Sequence, residues 1–354
     1  MANLDYKMRD YYQALKKELI RYAQEGGSRA PIYTIYIGGG TPSTMPNELL
    51  LDMSATLRDM FDTRMISEIS IEANPGTVVP DQVAVWQKIG VTRVSIGVQS
   101  LDDHVLARLN RHQKADQVRS LVAMLAGSIP SLSIDLIVGL PGVTEDAWKG
   151  MVQEVVTWPI HHLSVYFLSI HDTTPLYFRL KRNEFTLPPE DSLVDLYHWT
   201  VETLKEHGFY QYEVSSFARS GHESLHNKIY WDRRPYKGLG VGACSFDGQV
   251  RFQTTKNLMD YIEAQQQGQD RYCVVETLTE SDVRAEAIML SIRTKEGVPF
   301  ETIMGGVTVH QELLIKDRIC QLEQKNYILV SEGRIYLQPA AFALEHEVAV
   351  LLTA

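Results

Sequence analysis

The chain has 354 residues, 44% of them hydrophobic, and a net charge of -10, enough to bury a large core in one barrel-sized domain plus a smaller partner. Its acidity and the lack of a long Lys/Arg cluster argue against a nucleic-acid footprint. No apolar run reaches membrane-spanning length and the amino terminus MANLDYKMRD is too polar for a signal peptide, so a cytosolic compartment is expected.

In chain order, residues 5–24 read as an amphipathic helix, and 34–42 (TIYIGGGTP) as a strand that stops in three consecutive glycines, Gly38, Gly39 and Gly40. Glycine lets the backbone approach a ligand closely and take positive φ, and Thr41 and Pro42 can open the next helix. One glycine is a turn requirement; three in a row point to a ligand. Further strand-like runs occur at 67–72, 93–99, 132–139 and 162–168, and all but the last lead into a helical pattern. The helices are predicted at 46–61, 80–89, 102–110, 115–125 and 145–157, from apolar residues at helical spacing. Alternating strands and helices are the signature of parallel βαβ architecture.

Polar residues decide between a closed and an open sheet. The glycines, Glu72, Gln99, Asp135 and Tyr166 lie at or near the carboxyl ends of successive strands, as when several strands of a TIM-like barrel share one site. A dinucleotide fold concentrates its signal at the first turn, and the G-x-G-x-x-G fingerprint is absent there.

Beyond the barrel, 172–189 reads as a connector with Pro175, Pro188 and Pro189, 190–206 as a helix and 210–217 as a strand. An aromatic-rich HNKIYW segment at 226–231 leads to glycines at 238, 240 and 242. From about 277 the pattern changes: helices at 280–293 and 312–323, then a small hairpin around Glu332 and Gly333, forming a compact winged-helix-like appendage. The expected division is 1–171 for the barrel, 172–276 for the connector and HNKIYW extension, and 277–354 for the appendage. Cys244, Cys273 and Cys320 are scattered singly, like neither a disulfide framework nor a close metal-ligand set.

The words IGGGTPS (37–43), EANPGT (72–77), RVSIGVQS (93–100), IDLIVGLPG (134–142), YEVSSFA (212–218) and HNKIYW (226–231) run through almost the whole chain. Together they resemble the radical S-adenosylmethionine proteins of the oxygen-independent coproporphyrinogen III oxidase group, and within it the HemW haem chaperones. The resemblance implies a barrel about three quarters closed. It implies that Gly39, Gly40 and Thr41 line the methionyl end of S-adenosylmethionine, that Glu72, Gln99 and Asp135 hydrogen-bond other parts of it, and that Arg111 faces its carboxylate. Read from the residues alone, Arg111 is equally a solvated helix-end charge, and Asp135 a structural hydrogen bond to a loop.

Relatives begin with a strand leading into Cys-x-x-x-Cys-x-x-Cys, whose thiolates hold a [4Fe-4S] cluster, and this sequence contains no such motif. The expectation is therefore that the first barrel strand is missing, that the chain ligates no cluster and is inactive in radical chemistry, and that the strand ending at Ile37 is an edge partly covered by the 5–24 helix. Such an edge predicts a less stable, association-prone chain.

HNKIYW matches the His-Asn-x-x-Tyr-Trp word of HemW-like proteins, which is associated with haem binding. It implies His226 as a haem-iron ligand, with Tyr230 and Trp231 packing on the porphyrin. From residues alone, a His beside aromatics is a hydrogen-bonded core or interface group. Two further departures are Cys244, where relatives often place His, and LNRHQ (109–113), where relatives tend to have His at Gln113. Three functions compete: haem trafficking to an acceptor apoprotein, coproporphyrinogen III decarboxylation by a full-length form, and a non-catalytic binding barrel.

Overall fold

A computed structural model describes residues 2–27 and 30–353. In chain order the elements are α1 (Ala2–Gln24), β1 (Thr34–Ile37), α2 (Asn47–Met60), β2 (Glu68–Ala73), α3 (Pro80–Ile89), β3 (Arg93–Gln99), α4 (Asp103–Arg108), α5 (Ala115–Leu125), β4 (Ser131–Val138), α6 (Glu145–Val155) and β5 (His162–Phe167). Next come α7 (Pro175–Lys181), α8 (Glu190–Glu206), β6 (Tyr210–Glu213), β7 (Ser216–Ala218), α9 (Leu225–Trp231), β8 (Cys244–Phe246), β9 (Val250–Thr254), α10 (Leu258–Gln266) and β10 (Tyr272–Thr277). The chain closes with α11 (Glu280–Ile292), β11 (Val298–Pro299), α12 (Phe300–Met304), α13 (Val309–Gln324), β12 (Ile328–Ser331), β13 (Arg334–Leu337) and α14 (Glu345–Thr353).

The central sheet has the order β1-β2-β3-β4-β5-β7-β6 among the described residues, parallel from β2 to β5 and antiparallel where β7 joins β5 and β6 joins β7. The expected βα succession is present, with β1 at one end of the sheet. Residues 210–217 are not one strand: the chain doubles back between Glu213 and Ser216, so β6 and β7 pair with each other. The connector at 172–189 contains α7, whose start is cut by Thr174, with its side chain accepting from the Tyr177 amide, and by Pro175 at the first turn.

The chain divides into two compact units. One comprises residues 40–44 and 70–223. In it, side chains on β3 to β5 alternate with period two. Val94, Ile96 and Val98, Leu132, Ile134, Leu136 and Val138, and Leu163 and Val165 face one way and are almost wholly buried. The amphipathic helices supply matching buried residues, among them Trp86, Leu121, Leu125, Trp148 and Val152. The other sheet face is polar, and its side chains fall in register rows: Ser70, Arg93 and Ser131; Glu72, Ser95, Ser133 and His162; Gly97, Asp135 and Ser164; Ile137 and Tyr166. Parallel strands are commonly apolar on both sides, so a polar row of this length marks the lumen of an open barrel. Deep in it, His162 is satisfied by Ser133 at Nδ1 and Tyr212 at Nε2, both 2.8 Å, and burial holds it well below the usual histidine range, neutral.

The second unit comprises residues 1–39, 45–69 and 224–354. Leu19, Ala23 and Phe61 form one buried cluster, and Ala14, Tyr261 and Ile262 another, so α1 is held along its length by α2 and α10. Between them the buried Glu18 accepts from the Gly240 amide at 2.8 Å and the Tyr261 hydroxyl at 2.6 Å. Position 240 requires glycine, with φ +109° and a Cβ that would come 2.6 Å from Tyr11 Oη. A three-stranded antiparallel sheet, β10-β9-β8, had no clear signal in the sequence. The C-terminal part carries the antiparallel sheet β11-β13-β12, whose hairpin turns at Glu332 and Gly333 with φ +50° and +73°, as a two-residue turn demands. Ile288, Ile292, Ile315, Ile319 and Ile335 are its buried centre, and Thr279 and Thr308 cap α11 and α13.

One buried contact of the first unit is directly testable. Trp148, 1% exposed, donates from Nε1 to Thr200 Oγ1 at 2.8 Å on α8. Thr200→Val keeps the shape and strands the indole N–H, with an expected loss of about 1–3 kcal/mol in urea unfolding. An unchanged midpoint would show that the α6–α8 contact holds without this bond.

Candidate functional site

Two groups of side chains have functional character, one in each unit. In the unit of 70–223 the site lies at the carboxyl ends of β2 to β5. The loop after β1 enters it at Gly40: Ser43 Oγ lies 2.7 Å from Thr77 Oγ1, the Asn74 amide donates to Ser43 Oγ at 3.2 Å, and Gln82 Nε2 donates to the Ser43 carbonyl at 2.7 Å. These bonds tie Gly40 and Thr41 to the loop that ends β2, just beyond Glu72. Gly39 and Gly40 take φ of +83° and +148°, and no protein atom lies within 4 Å of where a Cβ would stand. The glycines are thus required by backbone conformation rather than by crowding at the position of a side chain.

Asp135 is the centre of the polar face. Its carboxylate accepts from Ser95 Oγ at 3.1 Å and from Ser164. Burial raises it above the usual carboxylate range; the Ser164 and Ser95 hydrogen bonds and the Arg93 charge pull it down, and Glu72 pushes it up again. Desolvation carries the Tyr166 hydroxyl up to about 12, with Asp135 adding to the rise. Gln99 ends β3 with φ +62° at a register shift. With its amide oriented to match its neighbours, it donates back to the Gly97 and Val98 carbonyls at 3.0 and 3.2 Å. Buried Gln113 reaches the same two carbonyls at 2.8 and 3.0 Å and so pins the strand end. The Arg111 side chain is exposed, and no ion pair to it is found among the described residues. The structure therefore gathers Gly40, Thr41, Glu72, Gln99 and Asp135 around the ends of neighbouring strands, while Arg111 stays in solvent. The sequence reading gave Ser95 and Ser164 no role, although alternating serines on β3 to β5 were the available signal, and it noted Gln113 only as a departure from relatives.

In the other unit the HNKIYW segment is helix α9, packed against β1. Ser224 Oγ accepts from the Asn227 amide at 3.3 Å, and buried Glu68 accepts from the Leu225 and His226 amides at 2.9 and 3.1 Å. Helical spacing puts His226 and Tyr230 one turn apart on one side. His226 Nδ1 lies 2.8 Å from Thr34 Oγ1, and Nε2 lies 2.8 Å from Tyr230 Oη. The Tyr36 ring stacks on the imidazole at 5.1 Å, and Tyr230 meets it edge-on at 5.0 Å. Burial holds His226 below the usual histidine range against the opposing Glu68 charge, and burial pushes Tyr230 up to about 12. Trp231 turns elsewhere: its ring lies under the Arg293 guanidinium at 4.4 Å, anchoring α9 to α11. Thr34, Tyr36 and Glu68 were not foreseen as partners of this word, because they come from strands far earlier in the chain, 192 residues before His226 for Thr34 and 158 for Glu68.

The Radical SAM superfamily model matches residues 3–155. The Heme chaperone HemW of Mycobacterium tuberculosis (strain ATCC 25618 / H37Rv) is 31% identical over 305 residues, covering 86% of this chain and 78% of that protein. The chain belongs to the HemW family. The HemW of Lactococcus lactis is 29% identical over 89% of this chain and 83% of its own length. The solved coproporphyrinogen III oxidase (HemN) of Escherichia coli, a radical SAM enzyme, aligns with a TM-score of 0.83 over 99% of this chain and 84% of its own, at 21% identity, and so shows the fold.

Radical SAM membership implies S-adenosylmethionine and a [4Fe-4S] cluster as the cofactors of the group. The three thiols of this chain do not fit a cluster. Cys244 and Cys273 sit on strands separated by β9, each opposite Gln253, and Cys320 is on α13; no group of three metal-ligating side chains is found among the described residues. The polar sheet face, with the Asp135 carboxylate and the Ser95 and Ser164 hydroxyls, has the donor and acceptor chemistry that a polar ligand such as S-adenosylmethionine needs.

Asp135 gives this face a pH signature. An acid whose value is raised on folding binds more protons folded than unfolded, so its contribution to stability falls as pH rises above the ordinary aspartate value of 3.8. Asp135→Asn stays neutral, and its unfolding midpoint is expected to gain on that of the parent as pH rises above 3.8. A constant offset would contradict the assignment.

Proposed function

We propose that this protein is a haem chaperone that takes haem as cargo on the α9 side of one unit and S-adenosylmethionine on the polar sheet face of the other. The observation that carries the reading is the His226–Tyr230 pair, held on a capped helix and stacked under Tyr36 in a chain of the HemW family. Haem needs a donor atom for iron, aromatic surface for the macrocycle and cations for two propionates. The pair offers donors, Tyr36 is 37% exposed beside it, and exposed Arg234 and Lys237 come just after the helix.

For S-adenosylmethionine, Gly39, Gly40 and Thr41 supply main-chain groups, Glu72 and Asp135 accept from its hydroxyls and ammonium, and Gln99 closes the strand end. The molecule contributes an electrophilic sulfonium centre when bound. Arg111, being exposed, is free to swing towards a ligand carboxylate.

Ferric haem titrated into the purified chain is expected to give a saturable Soret shift. In His226→Ala the affinity is expected to fall at least roughly tenfold, equivalent to about 1.4 kcal/mol. Identical isotherms for parent and variant would remove α9 as the haem site.

A further inference from the structure

The α9 pair has more capacity for a metal at its oxygen than at its nitrogens. Both ring nitrogens of His226 are engaged, Nδ1 with Thr34 Oγ1 and Nε2 with Tyr230 Oη, each at 2.8 Å. A neutral imidazole has one N–H and one lone pair, so two partners exhaust it. The Tyr230 hydroxyl has one hydrogen and two lone pairs; giving the hydrogen to Nε2 leaves both lone pairs for another centre. Ligation by His226 requires one of its hydrogen bonds to break, whereas ligation by Tyr230 keeps the whole arrangement.

We propose that the ferric iron of the haem cargo is ligated by Tyr230 Oη, with His226 as the acceptor of the phenol proton and Thr34 as the positioning residue that fixes the imidazole tautomer. This rests on the haem-carrying reading of α9. An oxygen lone pair of Tyr230 forms the Fe–O bond, the O–H bond breaks, and the proton passes to the lone pair of His226 Nε2. Iron remains ferric and no electron is exchanged. The resulting imidazolium donates from Nδ1 to Thr34 Oγ1 and from Nε2 to the phenolate, so both of its N–H groups are satisfied.

Burial disfavours both charges of that product, so the positive iron and the neighbouring groups have to offset it. Glu68, bonded to the Leu225 and His226 amides at 2.9 and 3.1 Å, places a negative charge at the start of the helix beside the imidazolium. Tyr36 stacks on the imidazole, inclined at 25°, and fixes its plane. The Tyr236 ring meets Tyr230 edge-on at 4.8 Å and 84°, a second aromatic contact that helps to hold the phenol. An anionic oxygen is a hard donor and favours ferric over ferrous iron, so reduction of the cargo weakens the bond that holds it.

The test is resonance Raman and absorption spectroscopy of the full chain with one equivalent of ferric haem, alongside binding isotherms. The expected result is a phenolate-to-iron charge-transfer band with enhanced tyrosinate ring modes in the parent. Tyr230→Phe, which keeps the ring, is expected to lose that signature and to bind at least roughly tenfold more weakly. Thr34→Val is expected to weaken the signature, and Thr34→Ser to restore it. A nitrogen-ligated spectrum that survives Tyr230→Phe and vanishes in His226→Ala overturns the Tyr230 assignment while leaving haem on α9. No change in affinity or spectrum in any of these variants overturns both.

Discussion

The strict two-sidedness of β2 to β5 is the constraint on which the unit of 70–223 depends. One side of these strands is Val, Ile and Leu at almost no exposure, and the other is Ser, Glu, Arg, Asp, His and Tyr in register rows. A parallel sheet puts the carboxyl ends of its strands along one edge, so Glu72, Asp135 and Tyr166 of the polar rows lie towards that edge, and Gln99 joins them at the register shift that ends β3. A one-residue slip in any strand would reverse its faces, burying charges against the helices. The apolar side therefore fixes the position of the polar side, and the stability of the fold and the composition of the site have one cause.

The α9 group obeys a different logic. A helix of seven residues has little intrinsic stability and is held by its ends: Ser224 and Glu68 take the first amides, and Trp231 is clamped by Arg293 at the last turn. Between these anchors His226 and Tyr230 are free of helix-supporting duty. Their hydrogen bond, and the one to Thr34, set the direction of each polar atom, which is what a site for a planar metal-bearing cargo requires.

Much of this was legible in the sequence wherever local periodicity and tertiary burial agree. The spans of α3, α5, α8 and β3 come directly from helical or alternating spacing between clear stop signals, and the winged appendage from its helices and the Glu332–Gly333 turn. Residues 210–217 read as one strand because nothing in their composition marks the reversal between Glu213 and Ser216. α7 and α9 are too short for periodicity to register, and β10, exposed along its whole length, shows no buried alternation. At the site, chemistry concentrated at strand ends was visible, whereas its support was not. Gln113, noted only as a departure from relatives, pins the end of β3, and Thr34 and Glu68 reach α9 through the fold alone. Trp231 is spoken for by Arg293, a pairing that its neighbours in sequence do not announce.

The most direct measurement is hydrogen–deuterium exchange of the full chain with and without ferric haem. The account requires slowed exchange in residues 224–237 and in β1, with little change along β3 and β4. Protection confined to 93–99 and 131–138, with α9 exchanging as before, would place the cargo on the polar sheet face and contradict it.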